Sequence, residues 1–361
     1  MAMNAHVFVW LPSMMLVASC QRTPVADPQP ANPVTAFLRN NPARSSMRLF
    51  RNDTLLVDLR PDQKMPLAST SKIIVAIEFA RQVAAGRLNP QVLVRISDLD
   101  LYYLPNTDGG AHPDWKQAMS TQQLLVNGQV PLLEVARGMI RYSSNANTDY
   151  LLERLGRDAV NANLNELNLP QHDPLLPLAA SLLLYSTSNK AATLQQLRGL
   201  SAPDYQRAVL QQQERLKTDS DGSLKRAFIF PDLDLQKLWS DRLPASTTAE
   251  YVSVLRKINS RTYFAPAVQR VLEQQLEWLL TANPASATSY QHLGFKGGST
   301  AFVLTMAAYA VTREGDRTEL AFFFNDLSPD EFKILADNAN TFLTNCVQKN
   351  TYRQIVNELR P

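Results

Sequence analysis

What the chain has little of narrows its chemistry first. Only two cysteines, Cys20 and Cys346, are spread over 361 residues, too few for a disulfide framework or a cysteine-rich metal site. Cys346 reads as a small apolar residue buried on the final helix. The four histidines offer no Ser-His-Asp triad, since His6 lies in the leader and neither His112 nor His292 has a nucleophile-elbow context. His112 with Asp114 supplies two ligands in a loop, which is poor evidence for a metal, so no metal or other cofactor is expected. Net charge is only +3, and no dense Lys/Arg block with interleaved aromatics occurs, which argues against a nucleic-acid partner. What remains, 45% hydrophobic and 19% charged residues, is the composition of a soluble globular protein. A chain of this length can bury a substantial core.

The first residues differ from the rest. "HVFVWLPSMMLVASC" is an apolar run of signal-peptide length, too short and too interrupted by proline for a membrane span. It ends in Val17-Ala18-Ser19-Cys20, which resembles the lipobox of bacterial lipoproteins, where the cysteine is lipidated. That resemblance implies a signal peptide over 1–19 and a lipid anchor on Cys20; the alternative is a plain signal peptide with Cys20 an ordinary residue. Residues 20–34, with "QRTPVADPQPANPV", read as an extended Pro-rich tether. The expected location is extracytoplasmic: periplasmic and membrane-anchored, or secreted.

Beyond the tether, "SSMRLFRN" and "TLLVDLR" read as two strands joined at the hairpin signal Asn52-Asp53. The run from Ser69 to Val83 is apolar almost all round and predicts a central buried helix, with Gly86 where a C-cap glycine belongs. "SDLDLYYLPNTDGGAHPDW" reads as loop, and Leu132 to Ile140 as helix. Residues 148–260 carry helical patterns and no convincing strand. "HLGFKGG", "STAFVLTMAAYAVT" and "TELAFFFND" then read as three strands, and "SPDEFKILADNANTFLTNCVQ" as a capped helix closing the chain. The order predicts an α+β fold (an α/β sandwich): one antiparallel five-stranded sheet, terminal helices flanking it, and an all-α lobe inserted between early and late strands. The expected catalytic domain spans 35–361, with its sheet part at 35–68 and 262–361 and its helical lobe at 69–261.

Three short patterns carry the chemistry. Ser69-x-x-Lys72 opens the buried helix, Ser143-x-Asn145 follows a helix in "MIRYSSNANTDYLL", and Lys296-Gly297-Gly298 sits on a strand in "GFKGGSTAF". A serine at a helix start is an ordinary N-cap, Ser143 to Asn145 could cap the next helix, and the two glycines could mark a bulge. The functional alternative is equally physical. Positions i and i+3 share a helix face, so Lys72 can reach the Ser69 hydroxyl. Burial and a nearby cation, expected to be Lys296, lower an amine's pKa until it can serve as a base.

In this order the three patterns resemble the Ser-x-x-Lys, Ser-Asp-Asn and Lys-Thr-Gly signature of the class A β-lactamase and penicillin-binding protein superfamily. The resemblance runs from about Ala36 to the C-terminus. It implies a serine hydrolase acylated at Ser69, with Lys72 as base and Ser143 relaying the proton to the leaving nitrogen. Asn145 would hold the substrate amide and Lys296 the substrate carboxylate. Gly298 and Ser299 would join them in binding the substrate, and the Ser69 and Ser299 N–H groups would form the oxyanion hole. Expected partners are a small β-lactam or a peptidoglycan-stem-like molecule, for a monomeric protein.

The pattern departs from the family in two places. The loop glutamate that activates the deacylating water in class A enzymes has no counterpart. Glu166-Leu167-Asn168 mimics the loop's end, but the catalytic position then falls on Leu164; Asp173 is the only acid where the loop belongs. The third motif also lacks its hydroxyl, for which Ser299 or Thr300 could compensate. The readings that follow are a β-lactamase relative, a D-Ala-D-Ala carboxypeptidase of cell-wall maintenance, and a non-catalytic lipoprotein or acylation-trapped sensor.

Overall fold

The computed structural model describes residues 32–360; the leader, Cys20 and most of the tether lie outside them. The chain divides into two compact units.

The sheet unit holds residues up to Thr70, Ala245–Phe264 and Glu277 onward. Its strands are β1 (Ser45–Arg51), β2 (Thr54–Leu59), β3 (Tyr290–Ser299), β4 (Leu304–Thr312) and β5 (Arg317–Phe324). They form one antiparallel sheet in the order β2-β1-β5-β4-β3, so the early strands do join the late ones. Asn52 and Asp53 both take positive φ, 47° and 62°, the conformation a two-residue hairpin needs to match strand twist.

Side chains alternate across each strand, and β5 shows where each face goes. Phe322 meets Phe342 of the Pro329–Val347 helix edge-on at 5.3 Å between ring centroids. Its neighbour Phe323 meets Tyr251 of the Thr248–Ser260 helix at 5.7 Å. With helices over both faces, β4 is buried along its whole length. The Thr248–Ser260 helix, expected in the helical lobe, therefore belongs with the sheet: its apolar side covers the face left by the terminal helices.

Two expectations at the C-terminus are corrected. The Pro329–Val347 helix opens with the expected cap, a reciprocal capping box between Ser328 and Glu331. It does not close the chain, because Tyr352–Leu359 forms a further helix whose Ile355, Val356 and Leu359 are buried. Cys346 is buried, but on the penultimate helix.

The helical unit comprises Ser71–Pro244 and Ala265–Leu276. At its centre runs the Lys72–Ala84 helix, with every residue from Lys72 to Ala80 buried, closed by Gly86 at φ 69°. The helices Leu132–Arg141, Asn145–Leu155, Arg157–Glu166 and Pro266–Leu276 pack on it. A satellite core joins Ala179, Leu182 and Tyr185 to Tyr205, Val209 and Leu216. The stretch expected as loop before Trp115 instead contains a helix over Ala111–Thr121. Its proline, Pro113, lies in the first turn, where no intrahelical N–H is lost. Short strand pairs also occur, at Met65–Pro66 with Ala245–Ser246 and at Leu93–Arg95 with Gln129–Pro131; the former puts a two-residue strand where none was expected.

Candidate active site

In the sheet unit the chain leaves Met65–Pro66, passes Ala68 in the left-handed region (φ 45°) and enters a 3-10 turn over Ala68–Ser71 that carries Ser69. The α-helix proper begins at Lys72, with Ser71 in its cap position. Ser69 is thus not the α-helix cap; it stands one turn ahead on a strained entry, the kind of backbone that persists where surrounding structure holds it.

β3 packs tightly against this turn. A Cβ on Gly298 would lie 2.5 Å from the Leu67 carbonyl oxygen, 2.7 Å from the Ser69 amide nitrogen and 2.7 Å from Thr305 Oγ1. Only glycine permits that approach. The register from Lys296 to Ser299 against Ala307 to Leu304 is unbroken, so the glycines mark this contact and not a bulge.

Thr305 is the hub holding the turn. Its hydroxyl lies 2.8 Å from the Leu67 carbonyl, 3.2 Å from the Gly298 carbonyl and 2.8 Å from Thr70 Oγ1, which in turn lies 3.3 Å from the Lys296 carbonyl. Lys296 is buried and donates to the Gly297 carbonyl at 2.6 Å, while Ser299 is exposed at the strand end.

In the helical unit Lys72 is fully buried. Its Nζ donates to the Ser143 carbonyl at 2.6 Å, to Ser143 Oγ at 3.3 Å and to Asn145 Oδ1 at 2.8 Å. Burial pulls the amine down to about 7, against the opposing carboxylates of Asp108 and Asp149. The lowering expected from a second cation is thus supplied by desolvation. A neutral Lys72 keeps two N–H bonds for its two closest acceptors, the Ser143 carbonyl and Asn145 Oδ1, and has one lone pair with which to take a proton. Ser143 itself is held in the left-handed region, φ 67°. Capping of the next helix falls to Ser144, whose Oγ accepts from the Asn147 N–H, which leaves Ser143 outside the capping role.

The predicted residues therefore fall into two groups: Ser69, Lys296, Gly298 and Ser299 in the sheet unit, and Lys72, Ser143 and Asn145 in the helical unit. One helical run joins them, with Ser69 three residues before Lys72.

Residues 30–215 match the family described as the beta-lactamase enzyme family. The chain belongs to that family. Solved structures share its fold: the chromosome-encoded β-lactamase of Vibrio parahaemolyticus (14% identity, covering 88% of this chain and 99% of that one, TM-score 0.53), a β-lactamase from Chitinophaga pinensis (14%, 86% and 98%, 0.52), and a point mutant of PBP-A as an acyl-enzyme complex with penicillin G (16%, 86% and 93%, 0.51). A comparison with curated proteins finds no match.

Further residues around the candidate site of this β-lactamase-family chain lie outside the three motifs. Thr70 and Thr305 meet only through the fold. Asp149 lies one turn after Asn145, so helix spacing alone could have found it. Its carboxylate is buried, accepts from the Leu178 and Ala179 N–H groups at 2.8 Å each, and is pushed up to about 7 by burial. Glu166, rejected as the loop base, forms an ion pair with Arg81 on the surface. Around Asp173 the loop is held by His172 Nδ1 to the Asp173 carbonyl at 2.6 Å and by Leu175 N–H to Asn161 Oδ1 at 2.7 Å.

A cavity of about 500 Å³ in the sheet unit contains none of these residues. Its guanidinium groups are already matched, Arg256 and Arg317 by Asp53 and Arg48 by Asp58.

Proposed function

We propose that this β-lactamase-family protein is a serine hydrolase that takes an acyl group onto Ser69 from β-lactams or related amides and esters. The observation carrying the reading is the buried Lys72 amine, lowered to about 7 and ringed by Ser143 and Asn145. Neutral Lys72 accepts the Ser69 hydroxyl proton as Oγ attacks the lactam carbonyl. The Ser69 N–H, with that of Ser299, steadies the oxyanion. The C–N bond then breaks, and the leaving nitrogen takes a proton through Ser143, which Lys72 resupplies. Asn145 holds the substrate amide and Lys296 its carboxylate.

Two observations favour a slow second half-reaction. The loop between Leu167 and Pro177 carries Asp173 as its only acid, and Glu166 is engaged by Arg81. Release of the acyl group then lags its formation, as in a D-Ala-D-Ala carboxypeptidase or an acylation-trapped sensor. A chromogenic cephalosporin separates these outcomes: sustained turnover supports the hydrolase, a stoichiometric burst the peptidase or sensor, and no reaction overturns the acylation reading. The same reading places the body outside the cytoplasm on a Cys20 lipid anchor. Palmitate labelling of the full chain that persists in Cys20→Ala overturns that placement.

A further inference from the structure

The second motif of the superfamily is Ser-Asp-Asn, and this chain reads Ser143-Ser144-Asn145. Its middle carboxylate is missing. Ser144 is fully buried, and its hydroxyl lies 3.1 Å from His112 Nδ1, while His112 Nε2 lies 2.9 Å from Asp100 Oδ1. His112 is itself fully buried, its ring between those of Tyr103 and Trp115 at 4.9 and 5.5 Å. We propose that Asp100, acting through His112, holds Ser144 and so positions its neighbours Ser143 and Asn145 around Lys72.

The hydrogen-bond inventory supports a directed chain. Asp100 is ionised, held below the usual carboxylate range by His112 and Lys116, so His112 Nε2 carries a hydrogen and donates to it. Ser144 Oγ already accepts the Asn147 N–H at 3.2 Å and faces Asn147 Oδ1 at 3.1 Å. Asn147 Nδ2 donates to the Val135 carbonyl, which fixes its oxygen as the side facing Ser144. The single Ser144 hydrogen serves either Asn147 or His112, and the imidazole orientation decides which. Ser144 is bonded through the peptide backbone to both Ser143 and Asn145, so its placement sets where the Lys72 acceptors stand.

The arrangement is not a second nucleophilic triad. Ser144 is shut from solvent and engaged in capping. The charged groups around His112 are Asp100 and Lys116, with Asp108, whose carboxylate accepts the His112 backbone N–H at 3.1 Å, and Lys225, which donates to the Asp100 backbone carbonyl.

The inference rests on the acylation reading above, and its test keeps the two apart. Labelling of Ser69 by a fluorescent penicillin is timed in wild type, His112→Gln, Asp100→Asn and the double variant His112→Gln/Ser144→Asp, with the melting temperature of each and amide exchange at Asn147. The expected result is labelling slowed by about tenfold in His112→Gln and in the milder Asp100→Asn, with faster Asn147 exchange. Ser144→Asp in the His112→Gln background restores both, because it returns a carboxylate to the middle position. Unchanged labelling in the folded single variants, or a folded double variant that stays slow, overturns the inference. Wild type that takes no label overturns the acylation reading instead, while Asn147 exchange still reports on the chain of hydrogen bonds.

Discussion

If Lys72 is the base, the rate of Ser69 acylation follows the fraction of neutral amine. Burial lowers Lys72 from 10.5 to about 7. At pH 7 about half the molecules carry a neutral amine, against roughly one in 3,000 for an unperturbed lysine. The perturbation is pH, read as the second-order rate constant for fluorescent-penicillin labelling between pH 5.5 and 9. The expected profile falls about tenfold per unit below pH 7 and levels off above it. Lys72→Arg keeps the charge but cannot give up its proton near neutrality, so labelling drops by about a thousandfold or more with the acid limb gone.

The same shift has a stability consequence. The folded pKa lies below the unfolded one, so between about pH 7 and 10.5 the unfolded chain binds a proton that the folded chain does not. Stability from this group therefore rises with pH across that window, by up to about 5 kcal/mol in all. A labelling rate that stays flat from pH 5.5 to 8.5 in folded protein refutes the reasoning.

Gly298→Ala drives a methyl into the Leu67 carbonyl and the Ser69 amide; labelling falls by about a hundredfold or more, because the displaced amide is the expected oxyanion donor. Thr305→Val keeps the shape but removes the hub hydroxyl, and chemical denaturation registers a loss of about 1 kcal/mol, the net worth of the hydrogen bonding it shares with Thr70 Oγ1 and the Leu67 carbonyl. Asp149→Asn removes a carboxylate that raises Lys72, so the acid limb of the labelling profile moves to lower pH, by no more than about a few tenths of a unit because Asp149 is itself only half ionised near pH 7. Gly138→Ala puts a Cβ 2.4 Å from Trp115 Nε1 and 2.5 Å from Asn147 Nδ2; the melting temperature falls by several degrees, an overpacking cost of about 1–3 kcal/mol.

Much of the fold was legible because it rests on local signals. Alternation in β1 and β2, the Asn52-Asp53 turn, the apolar strands near the C-terminus and the Ser328–Glu331 cap each act within a few residues. The breaks came where tertiary context overrides pattern. Pro113 and the paired glycines before it hide the Ala111–Thr121 helix, and the amphipathic Thr248–Ser260 helix gives no sign of which core it serves. At the candidate site, residue types and order single out Ser69, Lys72, Ser143 and Lys296 because the motifs are short in sequence. Thr305 beneath Gly298, and Asp100 joined to Ser144 through His112, arise from elements far apart in the chain. No local spacing encodes them.

The central claim is that Ser69 becomes acylated. Intact-mass measurement of the protein after brief exposure to penicillin G, followed by peptide mapping, tests it most directly. The account predicts one penicilloyl adduct on the peptide bearing Ser69, formed faster above pH 7 and absent in Ser69→Ala. No adduct, or an equal adduct in Ser69→Ala, contradicts it.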